Sequence, residues 1–248
     1  MSRVPAILAL STALLLIACG GGGSGGSTPA PTPTPTPTPS TVGDWTWVSG
    51  SNLINASGIY GTQGVASASN VPGARDGSVG GIDNIGNLWL FGGGCYTGYL
   101  NDLWEFNPTT KKWTWISGYS VASWNGGNGV YGKQGTASAS NVPGVRTAAV
   151  SWIDSSGNFW LFGGDGADST ANIGFLNDLW EFNPTSKEWT WVSGSDTYEA
   201  SGVYGTQGVA SASNVPGARD SSTSWIDSDG NLWLFGGTGY DSTGIGTG

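Results

Sequence analysis

The chain has 248 residues, 44 of them Gly and 14 Trp, with 10% charged residues, no His and a net charge of −9. That acidity excludes a nucleic-acid binder, which needs clustered Lys and Arg against phosphates. Two cysteines without a histidine exclude the usual zinc ligand sets. An aromatic content of 12% argues for a packed fold. High Gly with high Trp predicts many short strands joined by tight turns. The one adjacent basic pair, Lys111-Lys112, reads as a solvated turn.

Residues 1–18 place one positive charge, Arg3, ahead of an apolar run from Val4 to Ala18. This is the layout of a secretory signal and is too short for a comfortable membrane span. The run ends in Leu16-Ile17-Ala18-Cys19, which resembles the lipobox of bacterial lipoproteins. The resemblance implies a lipidated Cys19 at the mature N-terminus. Such a protein would be anchored to a bacterial cell envelope, at the outer membrane or cell surface, without a transmembrane helix. The alternative is an ordinary signal cut near Ala18 that leaves a free thiol. A lipidated Cys19 leaves Cys95 without a disulfide partner. The corresponding places in later repeats are expected to be Asp165 and Thr238, so the repeat itself needs no thiol. Residues 19–43 form a tether: Gly20–Ser27 is flexible. Pro29–Pro39 alternates Pro and Thr and favours polyproline II, spanning about 34 Å.

From residue 44 onward the chain repeats. Trp45–Ser49 reads as a lone strand. Tyr60–Arg75 and Tyr204–Arg219 are the same 16 residues, and Tyr131–Arg146 differs from them at three places, with spacings of 71 and 73. After each copy a first strand is expected, at Ser78–Ile82, Ala148–Ile153 and Ser222–Ile226. An Asp-x-x-Gly-Asn turn follows at Asp83–Asn87, Asp154–Asn158 and Asp227–Asn231, because Asp and Asn accept turn hydrogen bonds and Gly takes positive φ. The second strand is Leu88–Phe91, Phe159–Phe162 and Leu232–Phe235; it is apolar on both alternating faces and so is expected to be covered on both sides. The third strand is Asp102–Phe106 and Asp178–Phe182, and the fourth is Trp113–Ser117 and Trp189–Ser193, with two indoles on one face. Asn107-Pro108 and Asn183-Pro184 break the chain between them.

The order Arg, strand, Gly-Gly, aromatic strand, Trp resembles the kelch motif. The first unit supplies Arg75, Gly92-Gly93, Trp104 and Trp113. The second supplies Arg146, Gly163-Gly164, Trp180 and Trp189, and the third supplies Arg219 and Gly236-Gly237. The resemblance covers residues 44–248 and implies an all-β fold of kelch-type β-propeller blades, each a four-stranded antiparallel sheet. These units exceed 70 residues, where kelch units run near 50. The difference is an inserted Gly/Ser/Ala/Asn stretch before the first strand. Eleven strands are expected, one lone, two sets of four and a pair, too few for a closed ring. The reading is therefore an incomplete propeller. Truncation, an incomplete gene product and a partial propeller that must assemble all stay open. The last residues are expected to lie in a loop between the second and third strands.

Long connections are expected at one end of the strands, at 50–77, 118–147 and 194–221 and at 94–101 and 165–177. That face would carry Trp124, Tyr96, Tyr99 and Tyr240, together with Tyr60, Tyr131 and Tyr204, and is the expected protein- or glycan-binding surface. The three repeated tyrosines have a second reading, as covers over the core. Asp227-Ser-Asp229-Gly-Asn231 lacks the downstream Glu of a calcium loop and reads as a hairpin turn. Arg75, Arg146 and Arg219 either form an anion site or pair with acids of their own units such as Asp102 and Asp178. No cofactor is expected. Galactose oxidase is similar in fold, but its copper chemistry needs His, which this chain lacks, and a fragment of such an enzyme is the least favoured reading. Not an enzyme but a surface-anchored binding module is the first expectation; an envelope scaffold is the second.

Overall fold

The computed structural model describes residues 43–124 and 126–247. The signal-like segment, Cys19 and nearly all of the tether lie outside the described residues. The chain divides into residues 1–47 and residues 48–248. In the first part, residues 43–47 form no strand, and Trp45 and Trp47 are 71% and 65% exposed. The lone strand expected at Trp45–Ser49 therefore does not form. A strand exists through its ladder, and no described strand pairs with this segment.

Residues 48–248 contain strands and no helix among the described residues. Unit 1 is an antiparallel meander of β1 (Val79–Ile82), β2 (Leu88–Cys95), β3 (Gly98–Asn107) and β4 (Lys112–Ser117). Unit 2 contains β5 (Arg146–Thr147), β6 (Val150–Ile153), β7 (Phe159–Ala167), β8 (Ile173–Asn183) and β9 (Glu188–Ser193). Both β5 and β6 pair with β7: the strand expected at Ala148–Ile153 forms over Val150–Ile153, and β5 is a further short strand ahead of it, set off by a break at residues 148–149. Unit 3 contains β10 (Arg219–Asp220), β11 (Thr223–Ile226), β12 (Leu232–Phe235), β13 (Thr238–Tyr240) and β14 (Gly246–Thr247). Here β10 pairs with β13, β11 with β12, and β14 with β13. The pairing Tyr240↔Gly246 repeats Ala167↔Ile173 of unit 2, so Gly246–Thr247 begin a third strand rather than lie in a loop.

The loops expected at 94–101 and 165–177 are mostly strand. β2 runs on to Cys95 and β7 to Ala167, leaving short turns before β3 and β8. The glycine pairs make this continuation possible. Gly92 and Gly93 have φ of 59° and 99°, and a register shift falls between Phe91 and Gly93. A Cβ on Gly92 would lie 2.8 Å from the Arg146 carbonyl oxygen, and one on Gly163 would lie 2.7 Å from that of Arg219. The first glycine of each pair thus lets one unit approach the backbone of the next. The register also sets Gly94, not Cys95, in the place of Asp165 and Thr238, since Asp76↔Gly94, Thr147↔Asp165 and Asp220↔Thr238 are equivalent pairs.

The three units stack through alternating side chains. Trp89 and Phe91 of β2 meet Phe159, Phe182 and Trp189 of unit 2, with Phe91 and Trp189 rings 5.7 Å apart. The other face of β7, Trp160 and Phe162, packs with Leu232 and Leu234 of β12. Among the described residues, the sheet of unit 2 is packed by a neighbouring sheet on each face. Trp233 and Phe235, which point away from unit 2, are half-exposed and 73% exposed. Where the first strands of neighbouring units meet, a main-chain relay joins them. The Ala148 N–H donates to Gly77 O and the Ser221 N–H donates to Ala148 O, both at 2.9 Å.

The insertions before the first strands fold back over their own units. In unit 1 the N–H groups of Gly64 and Ser67 donate to the carbonyls of Trp115 and Trp113 on β4. In unit 2 those of Gly135 and Ser138 donate to Trp191 and Trp189 on β9. In units 1 and 2 the insertion so closes the outer edge of its sheet, which would otherwise offer unpaired main-chain groups.

Candidate functional site

The repeated tyrosines and arginines meet on one carboxylate per complete unit. Arg75 pairs with Asp102 at 2.6 and 2.8 Å, and Asp102 Oδ2 also accepts from Tyr60 Oη and Trp104 Nε1, each at 2.7 Å. Arg146, Asp178, Tyr131 and Trp180 repeat the arrangement. Arg75 and Arg146 also donate to Gly92 O and Gly163 O, which ties the arginine to the glycine pair. Tyr131 is 5% exposed. Burial first, and then the Asp178 charge, push its phenol well above the ordinary value, so it stays a donor. Tyr60 is raised likewise, by burial and then by Asp102. Tyr60 and Tyr131 lie over Trp104 and Trp180, with ring centroids 4.8 Å apart in both cases. They cover the core and do not form a ligand face. In unit 3, Arg219 donates instead to Tyr204 Oη at 2.8 Å, and Tyr204 is 50% exposed.

Trp104, Trp113, Trp180 and Trp189 are interior or interfacial. Trp104 and Trp113 pack edge to face at 6.3 Å, as do Trp180 and Trp189. Trp113 Nε1 donates to Ser49 Oγ and Trp189 Nε1 to Ser117 Oγ, so Ser49 stands to unit 1 as Ser117 stands to unit 2.

The turns between first and second strands converge from all three units around a recess of about 350 Å³, lined by Ile82, Ile153 and Ile226 and by the turn aspartates. Sequence reasoning did not anticipate this recess. The carboxylates of these turns are already engaged. Asp83 accepts from the N–H of Ile85 and Asn87 and from Trp89 Nε1, and Asp154 and Asp227 repeat this with Trp160 and Trp233. Burial pushes Asp154 up, but the bonds from Trp160 and Asn158 outweigh it and hold its carboxyl low. Asp227 is held at about 2, first by Trp233 and then by Asn231. The Asp227 turn is thus a hairpin device, with both oxygens spent on its own loop.

At the opposite end of the strands, Tyr99 and Trp124 come together. Tyr99 exchanges main-chain hydrogen bonds with Ser123, which brings the ring of Trp124 to 5.1 Å from that of Tyr99. Trp124 remains 52% exposed. The Tyr99 phenol donates to Asp165 Oδ2 at 2.7 Å and is pushed up to about 12, by burial and then by Asp165, Asp76 and Asp220. Burial and the nearby Asp165 charge also raise Asp220. Asp76 and Asp220 occupy the same place in their units, the residue after the arginine, where unit 2 has Thr147. Among the described residues no group of side chains is arranged to hold a metal ion. Tyr96 projects from the turn after β2, almost fully exposed. Tyr240 lies elsewhere, with its ring 6.2 Å from Phe175 at the junction of units 2 and 3. The structure therefore joins Tyr99 with Trp124 and leaves Tyr96 and Tyr240 outside the pair. It adds Asp165, Asp76 and Asp220, whose only signal in the sequence was their fixed place after the arginine or the glycine pair. The exposed Trp124 indole lies against Tyr99, and the carboxylates gather at the Tyr99 phenol.

No model of a known protein family matches the chain, and no curated protein matches its sequence.

Proposed function

We propose that the protein is a kelch-like β-propeller lipoprotein, anchored to a bacterial envelope through Cys19, that acts as a binding module and takes carbohydrate at the Tyr99–Trp124 end. Three features support the kelch-like reading: stacked antiparallel units, the first of them a four-stranded meander, a glycine pair at each close approach between units, and an arginine tied to that pair in every unit. The half-exposed Trp124, braced by a Tyr99 whose phenol is fixed on Asp165, carries the binding assignment. An indole face suits the C–H surface of a sugar ring, and carboxylates accept sugar hydroxyls.

Isothermal titration of the protein with a broad panel of envelope and plant polysaccharides tests this. Binding by at least one, weakened about tenfold or more (about 1.4 kcal/mol) by Trp124→Ala with an unchanged near-UV spectrum, is the expected result. Silence across the panel overturns it. The scaffold reading has one observation in its favour: in units 1 and 2 the near-identical insertions are engaged in covering sheet edges.

A further inference from the structure

The junction of units 2 and 3 carries a second ring pair, at the same end of the strands as Tyr99 and Trp124. Phe175 of β8 stands where Tyr99 stands in β3, since Asp165↔Phe175 and Gly94↔Tyr99 are equivalent pairs. The Glu199 N–H donates to Phe175 O at 2.7 Å, the counterpart of the Ser123 N–H on Tyr99 O. Tyr240 of unit 3 has its ring 6.2 Å from that of Phe175. Its phenol hydrogen-bonds Glu199, which raises it above the ordinary value. Tyr198, 37% exposed, lies against β8 at Gly174, where a Cβ would come within 2.6 Å of its ring. The connection that carries Tyr198 is pinned twice to the turn before β8. The Tyr198 N–H donates to Asp168 Oδ2 at 3.3 Å, and the Ser169 N–H donates to Asp196 O at 3.0 Å.

The two junctions reach this arrangement with different residues. Between units 1 and 2 the second ring, Trp124, comes from the connection and the acid, Asp165, from β7. Between units 2 and 3 the second ring, Tyr240, comes from β13, where unit 2 has Ala167, and the acid, Glu199, comes from the connection. The Arg–Asp–Tyr clusters that close units 1 and 2 are instead built from the same residue types at the same places. A packing requirement is met there by one repeated solution. At the junctions the ring pair and its acid recur although every residue that makes them differs.

We propose that the two ring pairs are neighbouring subsites for one extended, uncharged, β-1,4-linked polysaccharide chain, the second subsite being Phe175, Tyr198 and Tyr240 with Glu199. This rests on the carbohydrate reading of the Tyr99–Trp124 end. Phe175 is the ladder partner of Asp165, the acid that holds Tyr99, so the subsites adjoin. Stacked sheets lie about 10 Å apart, farther than one sugar ring reaches, so the ligand is an oligomer that offers successive rings. A β-1,4 linkage keeps such a chain straight and its C–H faces flat against the aromatic rings. Asp76, Asp165 and Asp220 around the Tyr99 phenol, and Glu199 beyond it, place negative charge along the path. Like charges disfavour a chain that carries carboxylates or sulfates. Two contacts on one chain raise affinity beyond either alone.

The probes are the β-1,4-linked dimers and hexamers of glucose, xylose and N-acetylglucosamine, with a β-1,4-mannuronate hexamer as the charged control. Isothermal titration against the full chain should show at least one neutral hexamer binding about tenfold or more tighter than its dimer, and no binding of the mannuronate hexamer. Tyr198→Ala and Tyr240→Ala should each weaken that hexamer about tenfold, as Trp124→Ala does, with an unchanged near-UV spectrum. If Tyr240→Ala disturbs the spectrum, Tyr198→Ala decides, because Tyr198 lies outside the buried core. A hexamer weakened by Trp124→Ala but indifferent to the tyrosine variants overturns the second subsite and leaves the carbohydrate reading standing. Equal affinity of dimer and hexamer, or binding of the mannuronate hexamer, overturns it in the same way. Silence toward every neutral hexamer overturns the extended-chain proposal, and the polysaccharide panel then decides the reading beneath it.

Discussion

A single oxygen, Asp178 Oδ2, accepts from Arg146, Tyr131 and Trp180, while Oδ1 accepts a second bond from Arg146. The side chains of Arg146 and Asp178 are both fully buried. Each of the three donors comes from a different part of the unit: the insertion, the start of the first strand and the third strand. The carboxylate is therefore the point at which the unit closes. Asp178→Asn leaves a buried guanidinium without its counter-charge and should lower stability by about 3–5 kcal/mol, read as a fall in urea midpoint at constant slope. Asp102→Asn should cost less, because the Arg75 side chain keeps 6% exposure and Tyr60 is only half-buried. Unit 3 shows what the pair looks like without the acid: the phenol of Tyr204 turns from donor to acceptor toward Arg219.

At the scale of the element, the break ahead of the first strand is the feature the sequence concealed. Gly77, Ala148 and Ser221 sit at this break with φ of 56°, 52° and 52°. A left-handed backbone costs an L-residue roughly 1–2 kcal/mol, and only unit 1 has glycine there. Ala148→Gly removes that strain but restores chain entropy to the unfolded state, so the net expectation is stabilisation by about 0.5–1 kcal/mol. Thermal melts of the variant and of the parent decide it; a lower midpoint for the variant means the strain is not there. The regular strands were legible because Leu-Trp-Leu-Phe and Asp-Leu-Trp-Glu-Phe alternate and are bracketed by turn residues. The break was not, because Ala148-Ala149 carries no turn signal. The Trp45–Ser49 segment illustrates the reverse: its sequence matches β9 closely, yet pairing depends on a neighbour that propensity does not encode. The insertions were legible as covers over the core; their closing of the sheet edge was not, because it is made by main-chain N–H groups together with the amides of Asn70 and Asn141. Within the candidate site, Tyr99 and Trp124 were identified as aromatics on long connections. The bridge from Tyr99 to Ser123 that joins them is again main chain.

Across the molecule, protection should be graded by how many faces are covered. Unit 2 has a sheet on each side and an insertion over β9, whereas β11 and β12 leave Trp225, Trp233 and Phe235 open. Native-state hydrogen exchange should find β7 and β8 slowest, and β12 faster by on the order of 100-fold. Uniform protection would mean that the three units open as one body. The relay from Gly77 through Ala148 to Ser221 sets the junctions of this stack with peptide groups alone. Its residues are a glycine, an alanine and a serine, so the contact survives drift in the side chain at that position. A junction written in the main chain needs no matched pair of residues to evolve together. A copied unit arrives with its docking geometry intact, and a row of such units can lengthen by duplication while the side chains at its ends diverge toward other uses.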